Sequence, residues 1–176
     1  FLFTTCADAN KNLAREGISS DKIFLVGDVM IDTLLYNMRR IEQESEGIGQ
    51  IVKNRKHKVE YKEYAVLTLH RPSNVDDRDT FERISRALHR ISESIPIIFP
   101  IHPRTRKKIK QFGFEKYYNG NIKLLQPLGY LDFLKLYSKA KFVLTDSGGI
   151  QEETTVLDIP CLTIRENTER PITIEQ

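Results

Sequence analysis

Histidine and arginine side chains follow two short apolar runs of this sequence. His70 and Arg71 come directly after the run that ends at Leu69, and His102 follows shortly after the run that ends at Phe99. Histidine changes its charge near neutral pH, and arginine binds phosphate groups through paired hydrogen bonds. Taken singly, each histidine is better explained by structure: His70 as a hydrogen-bonded residue at a strand end, and His102, before a proline, as an extended turn residue. Together they favour a ligand site.

The turn at Ser147, Gly148 and Gly149 is suited to a diphosphate. Two glycines where a strand meets a helix leave backbone N–H groups exposed and let a ligand approach the main chain, while the helix dipole favours negative charge. Glu153 lies one helical turn later, where its carboxylate can accept two hydrogen bonds from a ribose diol. On spacing alone, an N-cap serine, a tight glycine turn and a solvated glutamate explain the pattern equally well.

Three other kinds of site find no support in the sequence. The histidines and carboxylates lack the close spacing of a metal site. The residues before Ser147 lack the first glycine of the nucleophile turn of serine hydrolases. The G-x-G-x-x-G fingerprint is absent, which argues against a nicotinamide enzyme. We therefore expect neither a metal nor a nicotinamide cofactor.

The elements that must position these residues alternate between short apolar runs and amphipathic stretches. The runs predicted as strands of the main sheet are 64–69, 96–99, 122–125, 142–144 and 161–164. After a polar turn at 72–77, Phe81, Ile84, Leu88 and Ile91 recur at helical spacing on one face. This alternation predicts an α/β protein with a doubly wound, Rossmann-like parallel sheet. Ligands of such sheets bind beyond the carboxyl ends of the strands, where the polar residues stand.

Length and composition are those of a globular protein. The chain has 176 residues, of which 40% are hydrophobic and 29% charged, and a mild net charge of +3. No run approaches the roughly 18 apolar residues of a membrane-spanning helix, and the basic residues lack the interleaved aromatics of a nucleic-acid site. Cys6 and Cys161 form no CxxC pair, which predicts reduced, buried thiols in a cytoplasmic protein. We expect no membrane or nucleic-acid partner. The sequence begins without methionine, and we expect it to be part of a longer protein.

Five motifs occur in an order and spacing that point to one family. They are Thr68-Leu69-His70-Arg71 with Asn74, His102-Pro103, Pro127-Leu128-Gly129-Tyr130 with Phe133, Leu144-Thr145-Asp146-Ser147-Gly148-Gly149-Ile150-Gln151-Glu152-Glu153, and Arg165 with Thr168-Glu169-Arg170-Pro171. With them the sequence resembles the carboxyl-terminal half of the UDP-N-acetylglucosamine 2-epimerase family, over nearly its whole length. The resemblance implies that the chain is the second domain of a two-domain GT-B-type architecture, which many nucleotide-sugar glycosyltransferases share.

The resemblance also implies an activity. Members of the family are isomerases that invert C2 of UDP-N-acetylglucosamine without a nicotinamide cofactor, by anti elimination of UDP to a glycal and re-addition of UDP. The implied ligands are UDP and UDP-N-acetylhexosamines, the implied role is polysaccharide biosynthesis, and the implied full-length assembly is a homodimer. A diacetamido uronic acid substrate, the hydrolysing branch that releases UDP and N-acetylmannosamine, and a glycosyltransferase of the same architecture stay open.

Carried over residue by residue, the resemblance assigns the nucleotide site. Ser147, Gly148 and Gly149 would hold the phosphates, Glu153 would hold the ribose, and Arg170 would neutralise the diphosphate.

The remaining roles also come from the resemblance. Phe133 and the backbone near Leu128 would contact the uracil, and His70 would act at the leaving group or the sugar. Arg71 and His102 resemble residues that touch a second UDP-sugar, which is an activator in bacterial non-hydrolysing members.

The chain departs from the family pattern at two places and lacks part of its machinery. Pro72-Ser73 replaces a frequent Arg-Glu pair, and Ile172 follows Pro171 where many members have glutamate. The resemblance therefore supports the nucleotide site more strongly than the sugar specificity or the activator site. We expect residues 1–32 to be the tail of the amino-terminal Rossmann-like domain with the crossing, and residues 33–176 to be the truncated UDP-binding domain. The family's carboxylates for proton transfer at C2 lie in the amino-terminal domain, so we expect the fragment to bind UDP without activity.

Overall fold

The computed structural model describes residues 1–43, 63–168 and 173 of the chain. The chain divides into two compact units, residues 1–42 and 43–176. The domain boundary expected between residues 32 and 33 falls inside the last helix of the first unit, and it stays a prediction about the longer protein. Among the described helices, none combines the length and the apolar character needed to cross a membrane.

The first unit contains two parallel strands and two helices. In chain order they are β1 (Leu2–Thr4), α1 (Ala7–Arg15), a single 3₁₀ turn (Ser20–Lys22), β2 (Ile23–Leu25) and α2 (Val29–Gln43). Gly17 follows α1 with a φ of 82°, a conformation that glycine adopts without strain and that commonly ends a helix. Cys6, before α1, and Cys161, in the second unit, are both free and half-buried.

Among the described residues of the second unit, five parallel strands form one sheet. They are β3 (Ala65–Thr68), β4 (Ile97–Pro100), β5 (Ile122–Leu125), β6 (Phe142–Thr145) and β7 (Cys161–Thr163). Their order in the sheet is β5-β4-β3-β6-β7. The first strand therefore lies at the centre, and the chain extends the sheet to one side and then to the other. This is the doubly wound α/β arrangement, and that prediction is confirmed.

Helices follow the strands as the alternating pattern predicts. They are α3 (Pro72–Val75), α4 (Arg78–Ser94), α5 (Pro103–Phe112), α6 (Tyr130–Tyr137) and α7 (Gly148–Val156), with a 3₁₀ turn at Glu115–Tyr117. Asp77 caps α4 by accepting the backbone N–H of Thr80 at 2.9 Å. Gly113 ends α5 with a φ of 73°. These local signals determine where the helices begin and end.

The segment after Arg71 differs from the sequence expectation, because part of the expected polar turn is the short helix α3. Its first residue is Pro72, whose ring holds φ near the helical value and whose missing N–H is not needed there. The backbone N–H groups of Asn74 and Val75 both bond to the carbonyl of Arg71, at 3.0 and 3.1 Å. One helical turn thus places Asn74 beside the end of β3.

The core of the second unit is built on its central strands. Ala65, Val66, Leu67, Ile97, Ile98, Phe99 and Val143 are at most 1% exposed. Burial of successive residues explains why these strands read as continuous apolar runs rather than as alternating patterns. Phe81 and Leu88 of α4 are buried in the same core, and Ile84 and Ile91 pack against it.

Candidate functional site

The carboxyl ends of β3 and β6 lie side by side, because the chain leaves β3 toward one edge of the sheet and returns to β6 on the other side. The two strands are paired with Thr68 opposite Thr145. The hydroxyl oxygens of these threonines are 2.5 Å apart. The residues that follow both strands therefore meet at one edge of the sheet, at the topological switch point where doubly wound sheets bind ligands.

Asp146 is a fully buried carboxylate at this switch point. Its Oδ2 accepts hydrogen bonds from the backbone N–H groups of His70 at 2.9 Å and Arg71 at 2.8 Å, and from Nδ2 of Asn74 at 3.2 Å. Nδ2 of Asn74 also donates to the carbonyl of Ile164 at 2.9 Å. These donors offset the cost of burying a charge, and they join the segments after β3, β6 and β7.

His70 and Asp146 form a charge-assisted pair. Nδ1 of His70 lies 3.0 Å from Oδ1 of Asp146. The hydrogen bond with Asp146 raises the pKa of His70 above its ordinary 6.5, although burial opposes it. Burial would raise the pKa of Asp146, but hydrogen bonds from His70 and from two backbone N–H groups outweigh it and lower that pKa. The His70 side chain is 44% exposed, so its ring is accessible to a ligand.

A cavity of about 270 Å³ opens beside His70, and we call it the histidine cavity. It is lined by Thr68, Leu69, His70, Pro100, His102, Pro127, Leu128, Phe133, Ser147 and Ile150. The predicted site residues His70, His102, Leu128, Phe133 and Ser147 are thus brought together. A mostly apolar lining with a few hydroxyl and imidazole groups is typical of pockets for organic ligands.

His102 lines the histidine cavity and also begins a helix. Its Nδ1 accepts the backbone N–H of Arg104 at 3.2 Å at the start of α5. Its ring centroid is 5.9 Å from that of His70. The two interpretations of His102, a turn residue and a member of a polar cluster, therefore both describe it.

The start of α7 lies at the edge of the histidine cavity. Ser147 occupies the N-cap position, Gly148 and Gly149 are the first helical residues, and within the described structure the serine side chain does not cap the helix. The backbone N–H of Ser147 donates to Oγ1 of Thr145 at 3.0 Å. The first N–H groups of a helix have no partner inside it, so this end of α7 is suited to an anion.

Glu153 is a positioned acceptor, and with 5% exposure it is not the solvated residue of the alternative interpretation. Its Oε2 accepts the hydroxyl of Tyr137 at 2.6 Å, and the hydroxyl of Tyr130 lies 3.4 Å from Oε1. Burial raises the pKa of Glu153, and the two hydroxyl groups oppose that change in part. The ring of Tyr137 packs 5.1 Å from that of Phe133, which lines the histidine cavity.

Arg71 is the one described arginine of the predicted site, and it does not join this group. Arg71 lines a second cavity rather than the one that contains His102, and its Nε donates to the carbonyl of Asp146 at 2.7 Å. Arg170 lies outside the described residues. Arg71 and His102, which the resemblance assigns to an activator, therefore line different cavities in this unit.

Asp146, Tyr130 and Tyr137 have no role in the site predicted from the sequence. Asp146 stands two residues after the end of a predicted strand, the same kind of position that singled out His70, and this signal could have identified it. Tyr130 and Tyr137 are two helical turns apart and so share a face of α6. Their hydroxyl groups meet Glu153 only through the packing of α6 on α7, which no local pattern predicts.

Comparison with known proteins gives a consistent result. The sequence profile of the family described as UDP-N-acetylglucosamine 2-epimerase matches residues 1–176. A protein named UDP-N-acetylglucosamine 2-epimerase from Methanococcus maripaludis is 41% identical over 182 residues, which cover 99% of this chain and 48% of the relative. The crystal structure of Methanocaldococcus jannaschii UDP-GlcNAc 2-epimerase in complex with UDP-GlcNAc and UDP is 42% identical, with a TM-score of 0.89 over 99% of this chain and 48% of that one.

A more distant relative carries a different substrate in its name. It is the UDP-2,3-diacetamido-2,3-dideoxy-D-glucuronate 2-epimerase of Pseudomonas aeruginosa, 34% identical over 171 residues, which cover 96% of this chain and 44% of the relative. The chain thus spans about half the length of the curated relatives it matches.

Proposed function

Because the chain belongs to the UDP-N-acetylglucosamine 2-epimerase family, we propose that residues 33–176 are the UDP-binding half of an enzyme that converts UDP-N-acetylglucosamine to UDP-N-acetylmannosamine. One observation carries most of this proposal. The histidine cavity lies between His70 and the start of α7. A helix end suited to an anion and a histidine paired with a buried carboxylate therefore border the same cavity. Release of the diphosphate from a nucleotide sugar needs both an anion-binding group and a nearby cation.

The nucleotide would occupy the histidine cavity and the start of α7. The backbone N–H groups at Ser147, Gly148 and Gly149 would bind the diphosphate, since a helix amino terminus favours negative charge. The uracil would lie against Phe133 and the backbone near Leu128, which line the cavity.

The ribose would bind to Glu153. Tyr130 and Tyr137 hold its carboxylate in one orientation, so its remaining lone pairs can accept both hydroxyl groups of a ribose diol. Burial of Glu153 strengthens such hydrogen bonds, because little water competes for them.

The reaction requires charge stabilisation on the leaving diphosphate. When the C2 proton is removed and the bond between C1 and the diphosphate oxygen breaks, a glycal and UDP result. UDP then adds back to C1 as C2 receives a proton on the opposite face. The helix end and a protonated His70 stabilise the developing charge because both are held in place before the bond breaks. Arg170 would add a second cation.

Proton transfer at C2 would depend on the other half of the enzyme. The carboxylates that the family uses for this step lie in the amino-terminal domain. Since the chain spans about half of its relatives, we assign it nucleotide binding and leaving-group stabilisation only.

A diacetamido uronic acid sugar is the second candidate substrate. The Pseudomonas aeruginosa relative bears such a sugar in its name and is 34% identical to this chain. NMR analysis of the products of the longer protein decides between the two sugars when each is offered separately. The same experiment tests the hydrolysing branch, because free N-acetylmannosamine released in proportion to UDP contradicts the proposed epimerisation.

Calorimetric titration of UDP into the 176-residue chain tests the nucleotide site. We expect Glu153→Gln to weaken UDP binding about tenfold or more, because a hydrogen bond to a charged group contributes roughly 1.5–3 kcal/mol. Since the pKa of Glu153 is raised, UDP binding should also weaken with falling pH before the ordinary glutamate value of 4.5 is reached.

The matched control is Glu93→Gln, which changes an exposed glutamate near the end of α4. This variant should bind UDP as the unchanged chain does. Equal UDP affinity of the Glu153 and Glu93 variants would remove Glu153 from the site.

A further inference from the structure

The carboxylate of Glu153 lies between two tyrosine hydroxyl groups, where α6 packs on α7. The hydroxyl of Tyr137 donates to Oε2 at 2.6 Å, and the hydroxyl of Tyr130 donates to Oε1 at 3.4 Å. Each carboxylate oxygen therefore accepts one tyrosine hydroxyl. Glu153 is 5% exposed, so little water competes with these two donors.

Tyr137 holds the carboxylate more firmly than Tyr130 does. Tyr137 is the last residue of α6 and is fully buried, whereas Tyr130 begins the helix and is 41% exposed. The ring of Tyr137 packs against that of Phe133, with the two centroids 5.1 Å apart. Burial raises the pKa of Tyr137 and the hydrogen bond with Glu153 raises it further, so the hydroxyl stays protonated and remains a donor. Its short distance to Oε2 is typical of a hydrogen bond to a charged acceptor.

The two tyrosine hydroxyls determine which lone pairs of Glu153 stay available. An ionised carboxylate has about four acceptor sites, shared equally between its two oxygens. Tyr137 uses a site on Oε2 and Tyr130 uses a site on Oε1, so each oxygen keeps one site for a further donor. Two such sites side by side match the two O–H groups of a vicinal diol. A sugar with only one of these hydroxyl groups leaves one oxygen of the buried carboxylate without its donor, which weakens binding about tenfold.

The held carboxylate is linked to both parts of the proposed nucleotide site. Glu153 follows Gly149 by four residues in α7, so the two residues share one face of that helix near its start. Phe133, which packs on Tyr137, lines the histidine cavity. The orientation of Glu153 is therefore set by the same helix packing that forms the cavity wall.

We propose that Tyr137 is a positioning residue that orients the Glu153 carboxylate and thereby makes the nucleotide site selective for ribonucleotides over 2′-deoxyribonucleotides. The inference rests on the proposed UDP site and adds the residue that determines its sugar selectivity. Without the Tyr137 hydroxyl, the carboxylate can turn about its Cγ–Cδ bond, since this kind of torsion has only broad minima. Its two oxygens then no longer face both hydroxyl groups of a ribose together.

Calorimetric titrations of UDP and 2′-deoxy-UDP into the 176-residue chain test this proposal. We expect the unchanged chain to bind UDP about tenfold more tightly than 2′-deoxy-UDP, because the second nucleotide lacks one of the two donors. Tyr137→Phe keeps the ring and its packing on Phe133 and removes only the hydroxyl. It should lower the ratio of the two affinities about threefold or more, because the orientation of Glu153 then depends on Tyr130 alone.

The matched control is Tyr118→Phe, which also removes a buried tyrosine hydroxyl, in this case one that lies 2.8 Å from Oγ of Ser85. Urea unfolding should show a loss of stability in both variants, but Tyr118→Phe should leave the affinity ratio unchanged. In a Glu153→Gln background, Tyr137→Phe should change the ratio no further, because it acts through that carboxylate.

The possible outcomes separate this proposal from the proposed function. Equal affinity of the unchanged chain for UDP and 2′-deoxy-UDP overturns the selectivity without any variant. The role of Tyr137 is overturned if Tyr137→Phe keeps the ratio of the unchanged chain, or if Tyr118→Phe lowers the ratio by the same factor. In each of these cases UDP still binds and the proposed function stands. Failure of the unchanged chain to bind UDP contradicts the proposed function, and this inference with it.

Discussion

At the scale of single residues, Asp146 favours the protonated form of His70 in the candidate site. It accepts hydrogen bonds from the backbone N–H groups of His70 and Arg71, which lie 76 and 75 positions earlier in the chain, and it holds the ring of His70. Because the pKa of His70 is raised, its contribution to stability is complete below 6.5 and is lost as the pH rises through the raised value. The lowered pKa of Asp146 makes its contribution complete above 3.8 and lost as the pH falls through the lowered value. The pair of His70 and Asp146 therefore stabilises the fold most between pH 3.8 and pH 6.5.

Replacement of Asp146 by asparagine tests this pair. We expect Asp146→Asn to move the pKa of His70 from above to below 6.5, because burial and the nearby Arg71 charge then act without the carboxylate. Loss of the charge on a carboxylate that accepts three hydrogen bonds through Oδ2 also costs about 1–3 kcal/mol of unfolding free energy. An NMR titration of the imidazole signals and urea unfolding measure the two effects.

The control for this prediction is Asp132→Asn, which changes an exposed aspartate on α6 and should alter neither quantity. An unchanged pKa of His70 in the Asp146 variant would show that the carboxylate does not determine the protonation of the ring.

At the scale of secondary-structure elements, α5 holds the end of β3 in place. Thr105 is fully buried in the first turn of α5, and its hydroxyl donates to the carbonyl of Leu69 at 2.5 Å. Leu69 directly precedes His70, and His102 begins the same helix. One hydrogen bond thus couples the two histidine-bearing segments of the cavity.

Substitution of Thr105 measures this coupling. Thr105→Val keeps the shape of the side chain but leaves the buried carbonyl of Leu69 without its donor, and we expect a loss of about 1–2 kcal/mol in unfolding free energy. Thr105→Ser keeps the hydroxyl and loses one methyl group, at a cost of about 0.8 kcal/mol. Chemical denaturation of both variants compares them. Greater stability of the valine variant than of the serine variant would contradict a stabilising role for the hydrogen bond.

At the scale of the whole molecule, the two units differ in how completely they bury apolar surface. The second unit buries the central strands of its sheet. In the first unit, Phe1, Phe3, Leu25 and Val26 are between 55% and 88% exposed around a sheet of two parallel strands. Parallel strands are normally covered on both faces and rarely form sheets this small. This exposure supports our proposal that the functional enzyme contains further elements of an amino-terminal domain.

Our proposal that proton transfer at C2 depends on another domain predicts the activity of the isolated chain. We expect the 176-residue chain to bind UDP and to produce no epimer from UDP-N-acetylglucosamine, because our proposal assigns the groups that transfer the C2 proton to another domain. NMR of the incubated UDP-N-acetylglucosamine detects both UDP-N-acetylmannosamine and released N-acetylmannosamine. The Methanocaldococcus jannaschii UDP-GlcNAc 2-epimerase serves as the positive control. Turnover by the 176-residue chain would refute this assignment of proton transfer.

The sequence by itself determined the elements and most residues of the candidate site. Continuous apolar runs predict buried strands, and Gly17 marks the end of a helix, because these signals act within a few neighbouring residues. The Ser147-Gly148-Gly149 turn, His70 and His102 are identified in the same way, by their positions within three residues of the ends of predicted strands.

Only the tertiary structure decided which of these groups meet. The pairing of β3 with β6 brings Asp146 to His70, the packing of α6 places Tyr137 on Glu153, and the fold assigns Arg71 and His102 to different cavities. Strand order and helix packing depend on contacts between residues far apart in the chain, and no local periodicity encodes them. The charge of the histidine and the orientation of the glutamate therefore follow from the fold, whereas their identities follow from the sequence.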